Sequence, residues 1–280
     1  MNKEEYIENW KEYPALQKCI YKLQVNRFLD RKTKGRELIA LTAFNKLLIQ
    51  YTSLIKIIPN NDFSQFDKTS ISGIARGIIE LSNNMFFYGI EDVNDDEAQF
   101  RISLFEYISK RDRQGTLKKW DVQKETLDEL NLSDEELVNL KSDLCSNPTF
   151  IQLIKENRIM GFDSLVNPES SKNKYLRRHS ILNSRGIDEK FVDGLYKMSS
   201  VFIHNSPGAI DQHRNYLVNY HNMEREDLKL SVSLMQVPSS FIANSILDFS
   251  KYTDPIDELL STDEIKLVKD FANLILKKSK

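Results

Sequence analysis

Glycine and proline are scarce in this chain, at nine and seven of 280 residues. That supply is too small for the turns of a many-stranded sheet, and Leu, Lys, Glu, Ile and Asn dominate, so the composition favours helices. Cysteine is scarcer still. Cys19 and Cys145 stand alone, which excludes a disulfide framework and a cysteine-built zinc site and fits a reducing compartment. Charge of one sign is also missing, since 39 basic residues face 41 acidic ones. No global field draws such a chain to nucleic acid or anionic lipid, so any contact of that kind needs a local patch. The opening MNKEEYIENW lacks the apolar core of a secretory signal, and no run approaches about 18 uncharged apolar residues, the length of a membrane span. The expectation is a cytoplasmic protein with no membrane segment.

Apolar spacing supplies the elements. Residues 2–30 read as a charged helical lead-in anchored by Trp10, Leu16, Ile20, Leu23 and Phe28. From Arg36 to Ile58, the residues Leu41, Phe44, Leu47, Leu48, Tyr51, Leu54 and Ile55 recur three and four apart, the mark of a long core helix that Pro59, Asn60 and Asn61 stop. Ser70 is placed to cap a second helix running to about Tyr88, and a third is expected from about Asp95 to Lys110, followed by a loop through Gly115. Ser133 with Glu136 and Ser261 with Glu264 have capping-box spacing, and Asn147-Pro148 opens another helix. Residues 167–186, rich in Ser, Asn, Lys and Arg, read as a mobile connection. Asp188 starts a helix that ends at His204, and Pro238 is expected to kink or split the helical region that follows. The fold expected is all-α: a helical bundle on two long antiparallel helices near 36–58 and 70–90, with additional packed helices. Residues 1–34 form the lead-in and 35–280 a single domain.

Chemistry concentrates on two polar stripes. At roughly 100 degrees per residue, Ile71, Ile74, Ile78 and Met85 share one side of the second helix, with Arg76, Glu80, Asn83, Asn84 and Phe87 opposite. On the helix ending at His204, Phe191, Leu195, Met198 and Phe202 fall together, and Tyr196, Ser200 and His204 lie on the far side. Both stripes could simply face water, leaving Arg76 and Glu80 as a surface pair worth a few tenths of a kcal/mol. Gly73 and Gly77 argue for cover, because a glycine inside a helix costs about 1 kcal/mol relative to alanine and suggests that something approaches the backbone there. If the His204 helix supplies that cover, Arg76, Glu80, Tyr196, Ser200 and His204 converge. Arg76 and His204 could then hold a phosphate, or His204 and Glu80 could run acid–base chemistry, with Tyr196, Ser200 and Asn83 shaping the substrate pocket. The same groups could equally form a structural polar network.

Other sites are weaker. The acidic residues at 91, 92, 95, 96 and 97 belong to a helix start for dipole reasons, so no metal or other cofactor is assigned. Basic clusters at Arg31, Lys32, Lys34, Arg36, at Lys110 to Lys119 and at Lys172 to Arg185 could contact phosphates, with Trp120 or Tyr175 stacking a base.

The run Ile74 to Asn84, with its Arg-x-x-x-Glu at Arg76 and Glu80, and the run Tyr196 to Pro207, ending His-x-Ser-Pro, resemble two motifs of a poorly characterised bacterial helical family. The resemblance covers residues 36–90 and 188–208, and that family looks distantly HEPN-like. It implies a bacterial defence or stress-response protein, a candidate metal-independent endoribonuclease with RNA as substrate, and a site completed in a homodimer. In that light His204 would transfer a proton, Arg76 hold a phosphate and Glu80 orient one of them. The chain departs from the HEPN signature around His204, where Lys197 rather than an arginine lies upstream, whereas Arg214, Asn215 and His221 do fit the signature's spacing. The competing expectation is a non-catalytic helical protein that binds a protein partner.

Overall fold

A computed structural model describes residues 8, 10–27, 33–58, 67–167, 170–203 and 225–277. Its helices, numbered along the chain, are α1 (Glu12–Arg27), α2 (Gly35–Ile57), α3 (Lys68–Asn84), α4 (Asp95–Lys119), α5 (Lys124–Glu129), α6 (Asp134–Ser146), α7 (Pro148–Lys155), α8 (Phe162–Leu165), α9 (Arg178–Ser184), α10 (Glu189–Ile203), α11 (Arg225–Phe249), α12 (Ile256–Leu259) and α13 (Thr262–Asn273). Among the described residues there is no strand, only an isolated antiparallel bridge between Ile187 and Leu276. The all-α class expected from composition and spacing is what forms.

Contacts divide the chain into a larger unit, Met1–Ile90 with Leu182–Lys280, and a smaller one, Glu91–Ile181. Two things separate the units. The aromatic core of the smaller one, with Tyr107 edge-on to Phe162 at 5.0 Å, is its own, while the larger one closes through residues distant in sequence. Of the apolar anchors expected in the N-terminal segment, Leu16, Ile20 and Leu23 of α1 are fully buried in the larger core, together with Cys19. Burial, with Glu264 adding to it, pushes the Cys19 thiol up to about 11, so it behaves as a small apolar side chain.

In the larger unit α2 and α3 pack with opposed directions. A Cβ on Gly77 would lie 3.2 Å from Gln50, and one on Gly89 would lie 2.8 Å from Ala40, so one number rises as the other falls. The second helix begins at an Asp67 cap rather than at Ser70: the Asp67 carboxylate accepts from the backbone N–H of Thr69 at 3.0 Å and of Ser70 at 3.1 Å. Its last stretch, Met85–Ile90, is π-helical. Three side chains take the carbonyls exposed there: Arg36 donates to Tyr88, Tyr252 to Gly89 and Lys251 to Ile90.

α11 crosses the core. Its Phe249 stacks on Phe44 of α2 at 4.3 Å, and Ser239 shares a 2.8 Å hydrogen bond with the buried Tyr51 hydroxyl. Pro238 does not split this helix, which runs through to Phe249. The Ser240 hydroxyl donates to the Gln236 carbonyl at 2.8 Å, and dense packing on α2, α3 and α13 holds the turn. α2 and the stretch Leu230–Tyr252 are long and apolar enough to cross a membrane by length and composition alone, a test that core helices also pass. A search for uncharged runs overlooks both.

α13 opens with the full capping box expected of Ser261 and Glu264. The Glu264 carboxylate also receives Lys22 of α1 at 2.7 Å, and that hydrogen bond, with the Ser261 backbone, holds it below the usual carboxylate range. A depressed native value contributes stability that is present above the ordinary glutamate range and lost as pH falls through the native value. Lys22→Ala is therefore expected to lower stability near pH 7 by less than about 1 kcal/mol, the pair being partly exposed, and by nothing once Glu264 is protonated. Urea unfolding of both proteins at neutral and acidic pH checks this.

In the smaller unit α4 continues through Gly115 to Lys119, where a loop was expected. Buried Gln114 donates to the Leu132 carbonyl at 2.7 Å and to Asp134 at 3.0 Å, which fastens that extension. The Ser133 hydroxyl caps α6, but Glu136 turns to Lys110 at 2.7 Å instead of closing the box. The tract read as a mobile connection is packed where described: the Asn173 carboxamide donates to the Leu165 carbonyl, and the Tyr175 hydroxyl bonds both Arg101, at 3.1 Å, and Glu97, at 3.0 Å.

Candidate functional site

Two polar centres flank α3 in the larger unit. The first is the expected pair of stripes. Arg76 Nε donates to Glu80 Oε1 at 2.8 Å, the Tyr196 hydroxyl of α10 donates to the same oxygen at 3.2 Å, and the Arg76 guanidinium lies 4.9 Å from the Tyr196 ring centre. α10 thus covers the Arg76 stripe in part, leaving Arg76 31% and Glu80 48% exposed. The Arg76 guanidinium meets the Glu80 carboxylate and the Tyr196 ring at a half-open surface.

Not every stripe residue lands as expected. Ser200 is half-buried beside Ser199, whose buried hydroxyl has no hydrogen-bond partner among the described residues. Gly77 does receive a neighbour, the Gln50 carboxamide, but around Gly73 no described atom comes within 4 Å of a Cβ position. Phe191, grouped with the buried side of α10, is exposed, and Val192 with Leu195 faces the core instead. Phe87, placed on the polar side of α3, is buried because the π-turn shifts its azimuth. His204, together with Arg214, Asn215 and His221, lies outside the described residues.

The second centre was missed. Asn83, expected to shape the first pocket, is buried and faces Arg185 instead. Arg185 Nη1 donates to Ser82 Oγ at 3.0 Å and to Asn83 Oδ1 at 2.9 Å, while Nη2 donates to Asp248 Oδ2 at 2.9 Å. Its side chain is 2% exposed and its guanidinium lies between the rings of Phe86 and Phe241, at 5.2 and 5.5 Å. The Ser82 hydroxyl is also 2.6 Å from that of Ser245. Burial pushes the Arg185 guanidinium down and the Asp248 carboxyl up, and each pulls the other back. All three groups around the guanidinium are acceptors, so the centre is a packing device rather than an open site. The signal that could have found it is Gly186, whose φ of +68° marks a tight turn at Arg185 rather than a loose linker.

The basic clusters are spent in part. Lys110, Arg111 and Lys118 pair with Glu136, Asp112 and Asp134. Tyr175 is buried and has no face to offer a base, whereas Trp120 at the end of α4 is exposed. Compared with protein families, with curated proteins and with solved structures, the chain gives no match.

Proposed function

We propose that this chain is a HEPN-like helical protein of a bacterial defence or stress-response type, cytoplasmic, and a metal-independent endoribonuclease. The observation that supports the reading is the junction of the two motif helices, in which Tyr196 of α10 bonds Glu80 and lies against Arg76. In this reading Arg76 holds a phosphate, His204 transfers a proton, Glu80 orients the Arg76 guanidinium that it bonds, and Tyr196 and Ser200 form the wall. The metal-independent chemistry and the RNA substrate come from the motif resemblance.

Arg76→Ala and His204→Ala are each expected to lower cleavage of single-stranded RNA by at least about tenfold, the lower end of what a positioned acid–base group contributes. Arg76→Ala should not lower the melting temperature by more than about 4 °C, because a partly exposed i, i+4 ion pair is worth less than about 1 kcal/mol. If both variants cleave like the parent chain, the catalytic reading fails. A second reading, a non-catalytic protein in which these residues form a structural network, draws on the closed Arg76–Glu80–Tyr196 contacts. It predicts the reverse: melting points lowered by several degrees with no activity to lose.

A further inference from the structure

The side of α2 turned from the core has a character that the polar centres do not use. Although α2 is apolar enough for a bilayer, only 39% of its apolar window is buried. Leu38, Ile49 and Ile57 are exposed along it, Ile49 to 60%, and Tyr21 of α1 is exposed to 58%. From Leu38 to Ile57 this side spans about 28 Å of helix, some five turns. Leu38 and Ile57 stand apart among polar side chains, whereas Ile49 and Tyr21 are exposed close to one another across the α1–α2 seam, where both line one groove.

Between α1 and α2 the surface is concave. A groove of about 530 Å³ is lined by Tyr21, Leu48 and Ile49, with Lys18 and Lys56 as its charged residues and no carboxylate. The Gln17 carboxamide donates to the Thr52 hydroxyl at 2.7 Å within it, so the two walls are tied together before anything binds. Lys18, Lys56 and, one turn before Ile49, Lys46 have no ion-pair partner among the described residues, whereas Lys22 of the same α1 is held by Glu264.

We propose that this groove receives an amphipathic helix of a partner protein, with apolar residues at i, i+3 or i+4, and i+7 laid against Tyr21, Leu48 and Ile49, and with aspartates or glutamates along its flanks. The charge asymmetry selects the acidic flanks, since carboxylates would find Lys18 and Lys56 in the groove lining and no carboxylate there. The groove is shallow and runs between two helices, a seat that the ridge of side chains on one face of a helix fits. Tyr21 and Ile49 are the anchors. The inference is independent of the endoribonuclease reading, using none of Arg76, Glu80 or His204.

The test uses the full chain and a displayed library of helical peptides that share one apolar face and have randomised flanks. The chain serves as bait, and Ile49→Asp serves for counter-selection. The expected result is enrichment of peptides with acidic flanks that bind at least about tenfold more weakly to Ile49→Asp and to Lys18→Glu with Lys56→Glu. All substituted positions are exposed or half-exposed, so an unchanged helical circular dichroism spectrum and melting point confirm that the variants fold. The proposal is overturned if no Ile49-dependent peptide emerges, or if the enriched flanks are neutral or basic. It is equally overturned if phosphatidylglycerol vesicles bind in an Ile49-dependent way while the peptides do not, or if the parent chain forms a dimer that Ile49→Asp abolishes.

Discussion

Arg185→Ala is expected to destabilise the larger unit by about 3 kcal/mol, the lower end of the cost of breaking a buried ion pair, because the Asp248 side chain left alone keeps 23% of its surface exposed. At roughly 2–4 °C per kcal/mol for a unit of this size, the melting temperature falls by about 6–12 °C. The effect is large because one guanidinium serves three acceptors from two helices. Removing it strands the Asp248 carboxylate, whose burial already works against ionisation, and also the Asn83 carboxamide oxygen. It further empties the space between Phe86 and Phe241. Arg185→Lys keeps the charge but cannot reach Ser82, Asn83 and Asp248 from one planar fork, so an intermediate loss is expected. Thermal unfolding followed by circular dichroism reads all three proteins. An Arg185→Ala melting point within about 2 °C of the parent would show that the pair carries no such weight.

That centre also shows where sequence reading stops. The α2 and α3 helices were legible because their apolar residues recur at local spacings that one helix face must satisfy, and Arg76 with Glu80 is a local i, i+4 pair. Tyr196 could be placed opposite them only because its own helix has a polar stripe; its bond to Glu80 joins residues 116 apart. Arg185 offers no such periodicity. It lies in a tract of Ser, Asn, Lys and Arg that resembles solvated loop, and its partners are 103, 102 and 63 residues away. Nothing local distinguishes a buried arginine from an exposed one when the acceptors arrive from other helices. The same holds for Asn83, which a helical wheel puts beside Glu80 although the Arg185 side chain covers it. Gly115 misled in the other direction: local propensity argued for a loop, and the Gln114 bonds overrode it, while Pro238, expected to kink or split its helix, does not split it.

Gly89→Ala is expected to cost about 3 kcal/mol, at the upper end for one added methyl in a packed core. The methyl would lie 2.8 Å from the Ala40 Cβ and 3.1 Å from that residue's Cα and backbone N, so backbone as well as side chain blocks it. Neither side can yield freely. On the α2 side Ala40 is fully buried in a helix that also packs on α1 and α11. On the other side the π-turn is held by its carbonyls, with Tyr252 donating to Gly89 at 2.6 Å, Arg36 to Tyr88 at 3.1 Å, and Lys251 to Ile90. Moving Gly89 outward stretches these bonds, each worth about 0.5–3 kcal/mol depending on charge. Ala40→Gly removes the nearest clashing atom at a helix-propensity cost of about 1 kcal/mol. The pair Ala40→Gly with Gly89→Ala should therefore lose less than the sum of the two single losses, by about 1 kcal/mol or more of favourable coupling in a double-mutant cycle. Strict additivity, or a Gly89→Ala variant within about 0.5 kcal/mol of the parent in urea unfolding, would mean that α2 and the π-turn do not approach as closely as 2.8 Å implies.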